Sequence, residues 1–441
     1  MSKEIHTHPA GYAAGKVAVV GLGFVGLPLA VAFARQGFDV VGIDTDQRKI
    51  GAIRAGKSYI RDIADDELGQ AAGGGKLAAA TDYAEASSAG AVIVCVPTPL
   101  SPDNAPDLGF LTDAASRLAP VLRPGQLIVI ESSTYPGTTN DVVRPILEQS
   151  GLRAGTDFFL AYSPERVDPG NDAYPLRAVP KVISGATARC LERIRDLYGH
   201  VFERLVAVSS MEIAETAKLL ENAYRLVNIS FINEFAQLCD ALNLNVWDVI
   251  RAAATKPYGF SPFYPGPGIG GHCIPVDPLY LQWKAAQAGT ESRFIALSQA
   301  VNDAMPAYIV GRVQAHLPAG KPLSGARVLV YGVTYKRDVP DVRESPSLAI
   351  IEALRHGGAD VRYHDPYVPS LRLADDTTMN GVPVTAEELA AADCVLILVD
   401  HAALPEALIA GHARFVFDTR SRIRAVRAGA KLVTLGDGTP T

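Results

Sequence analysis

Cys273 stands in Phe263-Tyr-Pro-Gly-Pro-Gly-Ile-Gly-Gly-His-Cys-Ile-Pro-Val-Asp277, a run whose Gly and Pro content argues against regular structure. Such a backbone lets a thiol meet a ligand closely. Thiolates add to carbonyl carbon, so this cysteine, in company with a redox cofactor, would point to covalent capture of an aldehyde. A tight turn with an incidental thiol is the competing explanation. The other four cysteines have blander settings. Cys95 and Cys394 fall in apolar strand-like runs, while Cys190 and Cys239 fall in helical patterns, where a thiol ordinarily packs as a small hydrophobe.

The redox cofactor is indicated at the other end of the chain. Lys16–Val20 reads as a short buried strand, Gly21-Leu-Gly-Phe-Val-Gly26 as the turn after it, and the residues to Arg35 as an apolar helix. In this arrangement Gly21 makes the turn, Gly23 lets the backbone approach a pyrophosphate, and Gly26 lets helix and strand pack closely. Phe24 and Val25 complete the same cofactor-binding turn. The next strand, Asp39-Val-Val-Gly-Ile-Asp44, ends in an acid placed to accept from ribose hydroxyls, which favours NAD over NADP. Arg48 and Lys49 nearby soften that discrimination, and Arg48 is counted with the cofactor contacts.

A chain of 441 residues with 48% hydrophobic content is long enough for two to three domains. No apolar run reaches membrane-spanning length and Met1–Gly15 has no signal-peptide core, so a cytoplasmic enzyme without a membrane partner is expected. Five cysteines without CxxC spacing agree with a reducing compartment and give no metal site. A net charge of −6, mild and unclustered, gives no reason to expect nucleic-acid binding, although local Lys and Arg suit a phosphorylated small molecule.

Elements that position these residues follow from the alternation of strands and helices. Strands are predicted at Ala91–Thr98, Gln126–Glu131 and Phe158–Ala161, and Thr98, Ser133, Thr134 and Glu165 follow their ends, where ligands sit in doubly wound sheets. From Val201 to Thr255 there is no Gly or Pro, and Met211–Asn243 reads as one helix or two nearly continuous ones. Such a spine joins two domains and contributes to a subunit interface. Lys218, Asn222 and Arg225 share one of its faces by i, i+4, i+7 spacing, suited to an anion or a reacting carbonyl. Leu219, Leu220, Ala223, Leu226 and Val227 supply its packing side. A second strand-helix series begins near Gly325 with strands at Arg327–Tyr331, Asp360–His364, Asp393–Val399 and Arg414–Asp418. Its first turn carries Lys336, Arg337 and Arg343, cations that suit phosphate oxygens.

Taken in order, these motifs make the chain resemble the UDP-glucose/GDP-mannose dehydrogenase family, the nucleotide-sugar 6-dehydrogenases, over essentially its whole length. The resemblance rests on Gly21–Gly26, Cys95–Pro99, Ser132–Pro136, Ser163–Arg166, Glu215–Asn222, Gly270–Asp277 and Tyr331–Ser345. It implies an α/β protein with two Rossmann-like domains joined by a long central helix and a helical dimerisation region. The expected division is an NAD domain over 1–207, a central helical domain with the cysteine loop over 208–315, and a UDP-sugar domain over 316–441. A homodimer or higher homo-oligomer is implied, with the active site between the outer domains.

The implied reaction oxidises the C6 hydroxyl of a UDP-hexose to a carboxylate while reducing two NAD⁺. By resemblance Cys273 traps the aldehyde as a thiohemiacetal, a second oxidation gives a thioester, and water releases the acid. Lys218 and Asn222 stabilise the oxyanion, while Thr134, Glu165 and Asp277 position water and protons; which group is the general base is left open. Thr98, Thr134 and Arg343 join the cofactor contacts. Arg166, Val167, Lys218, Asn222, Arg225, Gly270, Lys336 and Arg337 join those to the UDP-sugar.

Gly270-Gly-His-Cys-Ile-Pro-Val-Asp277 and Ser163–Gly170 depart from the glucose-type pattern and resemble the branch acting on UDP-N-acetylhexosamines, most of all its N-acetylglucosamine members. UDP-N-acetylmannosamine, UDP-N-acetylgalactosamine and UDP-glucose stay as alternative substrates. Two other classes compete: a silent NAD or UDP-sugar sensor, and a two-electron dehydrogenase that releases a ketone or aldehyde. Neither needs the cysteine.

Overall fold

A computed structural model describes residues 15–167, 174–271, 273–318 and 321–440. His272 and positions 168–170, both used above for substrate choice, lie outside them. The chain divides into two compact units, Met1–Glu221 with Leu279–Thr290, and Asn222–Pro278 with Glu291–Thr441.

The first unit is built on eight strands: β1 (Lys16–Val20), β2 (Asp39–Ile43), β3 (Leu77–Ala80), β4 (Ala91–Val94), β5 (Leu127–Ile130), β6 (Phe159–Tyr162), β7 (Lys181–Gly185) and β8 (Leu205–Ala207). Their order is β3-β2-β1-β4-β5-β6-β7-β8, parallel except where β6 meets β7. The first six strands follow the dinucleotide-binding order, with its crevice where β1 neighbours β4. Strands β4, β5 and β6 are buried along their whole length, which is why they are continuous apolar runs rather than alternating ones. The predicted strand at Ala91–Thr98 ends early, at Val94, and Pro97 cannot donate to a ladder.

The second unit carries β9 (Arg327–Tyr331), β10 (Asp360–His364), the hairpin β11 (Ser370–Arg372) with β12 (Thr378–Asn380), β13 (Cys394–Ile397), β14 (Phe415–Asp418) and β15 (Lys431–Thr434). Its sheet runs β10-β9-β13-β14-β15, all parallel. Setting the hairpin aside and counting from β9, this is the 2-1-3-4-5 order of the other common doubly wound fold, whose crevice opens between its first and third strands. The protein is thus α/β with two Rossmann-like sheets.

A spine helix, Met211–Leu242, is continuous over 32 residues, or about 48 Å at 1.5 Å per residue. Glu212 in its first turn complements the helix dipole. It stops at Asn243, whose φ of 55° is the left-handed conformation that ends helices. Leu219, Ala223 and Leu226 are buried as expected, but Leu220 is 64% exposed. One residue from Leu219 lies about 100° away around the helix, so the two cannot share a packing face.

Candidate active site

In the first unit the sequence-predicted residues gather after the carboxyl ends of the strands. Gly21 has φ 88°, and a Cβ there would lie 2.4 Å from the Cys95 carbonyl oxygen; a Cβ on Gly26 would lie 1.9 Å from the Gly21 oxygen. These two glycines are required by close packing. A Cβ on Gly23 would meet nothing within 4 Å, so this turn opens to space beside the N-terminus of the helix Gly26–Arg35. Asp44 Oδ2 accepts from Leu22 N at 2.8 Å and from Lys49 Nζ at 2.8 Å. Turn, helix end and acid fit a dinucleotide. Arg48, by contrast, pairs with Asp46 at 2.8 Å and its side chain is exposed.

Thr98 and Thr134, after β4 and β5, are buried. Tyr280 donates to the Thr98 carbonyl, and Thr98 Oγ1 donates to Ser133 O at 2.7 Å, which ties the two turns together. After β6, Glu165 accepts from Val167 N, and Arg166 binds Glu221 at 2.8 Å. Lys218 is buried on the spine.

In the second unit the Gly- and Pro-rich run is irregular up to Gly271, as expected, but Cys273 is the first residue of a helix, Cys273–Gln287. The expectation of a wholly irregular segment fails because Ile274-Pro275-Val276 is compatible with a first turn, where proline's missing N–H is not needed. Cys273 is exposed. Asp277, one turn on, is buried, and its Oδ2 accepts from Asn222 Nδ2 at 2.6 Å. The preceding loop is held by backbone contacts. Gly266 N donates to Asn233 Oδ1 at 2.9 Å, Ile269 N to Asn302 Oδ1 at 2.6 Å, and Gly271 N to Arg343 O at 3.1 Å. At Gly270 a Cβ would lie 2.5 Å from Glu344 O, so only glycine fits against this strand of chain. Arg343 forms a two-pronged ion pair with Asp341. Lys336 is half-buried, and Arg337 and Arg225 are exposed.

The chain matches the UDP-glucose/GDP-mannose dehydrogenase family in three consecutive parts: the NAD binding domain over 15–202, the central domain over 212–304 and the UDP binding domain over 329–425. It belongs to that family. Its activity is therefore that of an NAD-dependent UDP-sugar 6-dehydrogenase. It is 37% identical over 390 residues to UDP-N-acetyl-D-glucosamine 6-dehydrogenase of Pseudomonas aeruginosa, covering 88% of this chain and 90% of that protein. It is 35% identical over 423 residues to UDP-N-acetyl-D-mannosamine dehydrogenase of Salmonella typhi, covering 92% and 98%. Among solved structures, the UDP-D-ManNAc dehydrogenase of Pyrococcus horikoshii matches with a TM-score of 0.87 at 33% identity, over 96% of this chain and 99% of that one.

Two buried charged residues of the first unit escaped sequence reasoning. Glu215, buried on the spine, accepts from Gly137 N at 2.7 Å, Thr139 N at 2.9 Å and Thr139 Oγ1 at 2.6 Å, with Thr134 Oγ1 at 3.5 Å. Burial pushes its carboxyl up to about 7, against the pull of those donors. Its place three residues before Lys218, in the quoted motif Glu215–Asn222, was the available signal. Lys181 is also buried, donating to Glu131 Oε2 at 2.8 Å and to Pro164 O at 3.0 Å, with Glu165 Oε2 at 3.9 Å. Burial alone would depress this ammonium, but the Glu131 and Glu165 carboxylates outweigh it and keep the lysine charged. No sequence pattern announces Lys181, because its partners follow the ends of other strands. Among the described residues no group of His, Cys, Asp and Glu suits a metal ion, and no helix is long and apolar enough to cross a membrane.

Proposed function

We propose that this dehydrogenase oxidises the C6 hydroxyl of a UDP-N-acetylhexosamine, best UDP-N-acetylglucosamine, to the uronic acid through a covalent Cys273 intermediate. The carrying observation is Cys273 at the start of a helix, one turn before a buried Asp277 held by Asn222. A helix N-terminus is a setting in which a thiol reacts as thiolate. Bound NAD⁺ accepts a hydride from C6 at each oxidation. The Cys273 sulfur adds to the C6 aldehyde carbon, giving a thiohemiacetal whose oxygen is stabilised by Lys218 and Asn222. The second oxidation leaves a thioester. Water, positioned by Thr134, Glu165 and Asp277, adds to its carbonyl; the C–S bond breaks, thiolate leaves and the acid forms.

Gly21, Gly23, Phe24, Val25, Gly26, Asp44, Arg48, Thr98, Thr134 and Arg343 hold the cofactor in this account. Arg166, Val167, Arg225, Gly270, Lys336 and Arg337 hold the UDP-sugar together with Lys218 and Asn222. The functional division is 1–207 for NAD, 208–315 for the helical region with the cysteine, and 316–441 for the UDP-sugar. The product serves surface-polysaccharide synthesis in the cytoplasm.

Assembly is proposed as a homodimer formed along the spine. Ile213, Leu220, Tyr224, Phe231, Leu238 and Leu242 are each 48% to 64% exposed. At 100° per residue they fall within an arc of about 40°, an apolar stripe along the whole helix. An exposed stripe of that kind marks an interaction surface.

The manno epimer is the second reading, supported by the likeness to the mannosamine enzymes of Salmonella typhi and Pyrococcus horikoshii. A kinetic panel of UDP-N-acetylglucosamine, UDP-N-acetylmannosamine, UDP-N-acetylgalactosamine and UDP-glucose decides between them. The highest kcat/KM is expected for UDP-N-acetylglucosamine. A preference for UDP-glucose of more than about tenfold, roughly 1.4 kcal/mol at the transition state, overturns the acetamido assignment.

A further inference from the structure

The two Rossmann-like sheets begin with the same turn. Gly21 has φ 88° and donates to Ile43 O at 2.8 Å; Gly332 has φ 87° and donates to His364 O at 2.9 Å. The acid after β2, Asp44, accepts from Leu22 N at 2.8 Å, and the acid after β10, Asp365, accepts from Val333 N at 2.8 Å. Asp365 thus occupies in the second sheet the place that Asp44 occupies in the first, where a dinucleotide's ribose is read.

What differs is the partner. Asp44 meets a lysine, Lys49, that is partly exposed, whereas Asp365 meets His401, which is fully buried and follows β13 at the crevice of its sheet. His401 Nε2 lies 3.0 Å from Asp365 Oδ2, and its Nδ1 accepts from Asp338 N at 3.0 Å. Since Nδ1 accepts, the ring proton is on Nε2 and is donated to the carboxylate. Asp338 has φ 57°, a left-handed conformation that carries a cost for a non-glycine residue. Thr334 Oγ1, which donates to Lys336 O at 2.9 Å, lies 3.3 Å from the same Nε2. The histidine therefore holds Asp338 N at one end of the turn that presents Lys336 and Arg337, while Asp365, which takes its Nε2 proton, accepts from Val333 N at 2.8 Å and Thr334 N at 3.4 Å at the other.

We infer that His401, with Asp365, is a positioning pair that closes the ribose-reading place of the second sheet and fixes the 334–338 turn so that its cations receive a nucleoside diphosphate. This rests on the assignment of Lys336 and Arg337 to the UDP-sugar. The ring is fully used by Asp365 and Asp338, so it acts through the turn and not on the ligand.

The test measures UDP affinity by calorimetry, with the KM for UDP-N-acetylglucosamine and for NAD⁺, in the full-length enzyme. His401→Ala is expected to weaken UDP binding and raise the UDP-sugar KM by about tenfold or more, leaving the KM for NAD⁺ unchanged. His401→Asn restores an acceptor near the Nδ1 position and is expected to recover most of the affinity. His401→Gln reaches toward Asp365 but leaves Asp338 N without its acceptor, and is expected not to. Wild-type UDP affinity in His401→Ala overturns the inference, as does equal loss in the Asn and Gln variants. Parallel loss of NAD⁺ and UDP binding in His401→Ala also overturns it. Lys336→Ala and Arg337→Ala are run alongside: unchanged UDP binding in both would instead overturn the assignment of those cations.

Discussion

Asn222 Nδ2 donates to Asp277 Oδ2 over 2.6 Å, and both side chains are buried. The bond joins the spine helix to the helix that begins with Cys273. Replacing Asn222 with Ala leaves a buried carboxylate short of a donor, costing about 1–3 kcal/mol of stability. Loss of an oxyanion donor lowers kcat by about 10²-fold or more. Steady-state kinetics together with urea melts check both; unchanged kcat in a variant of reduced stability would remove Asn222 from the chemistry.

The Asp44 carboxylate, already bonded to Leu22 N, meets a ribose with its remaining acceptor capacity and repels a 2′-phosphate. NAD⁺ is expected to outperform NADP⁺ in kcat/KM by about 10²-fold, and Asp44→Asn to erode that ratio by about tenfold. Lys49 is the only cation whose contact with Asp44 is direct among the described residues. A wild-type ratio near one would mean that it overrides the acid.

Glu215 gives a pH dependence. With its carboxyl raised by burial from 4.5 to about 7, the native chain keeps a proton that the unfolded chain releases in that window, so this group's contribution to stability falls as pH rises from 4.5 to about 7. The shift corresponds to about 3 kcal/mol. Unfolding free energies at pH 5 and pH 8 are expected to differ less in Glu215→Gln than in the wild type, by a substantial part of that amount. Identical pH dependence in the two proteins would show that Glu215 does not titrate there.

Charging the apolar stripe tests the assembly. Leu220 and Phe231 are 64% and 59% exposed in the isolated chain. Leu220→Glu with Phe231→Glu is expected to convert a dimer into a monomer by light scattering. A monomeric wild type would contradict the interface.

Much of this architecture was legible in the sequence because its strongest signals are local. β1, β9 and β10 match their predicted ranges residue for residue; β1 and β9 are short, largely buried apolar runs with turn residues at their ends, while β10 is an edge strand with Tyr363 alone fully buried. The spine was legible from the absence of Gly and Pro. What the sequence concealed depends on partners distant along the chain. Leu220 reads like Leu219 until the helix face is known. Glu131 with Lys181, and Asp365 with His401, are 50 and 36 residues apart and meet only through sheet order. The start of the cysteine helix was hidden by prolines that suit a first turn as well as a loop.

Counting NADH formed against UDP-sugar consumed tests the central claim most directly. If Cys273 captures the aldehyde covalently for a second oxidation, as proposed, two NADH are expected for each UDP-N-acetylglucosamine converted to acid, with no aldehyde in solution. Cys273→Ala is expected to retain NAD⁺ binding and to form no acid. One NADH per sugar with released aldehyde, or acid formation at the wild-type rate by Cys273→Ala, would contradict the account.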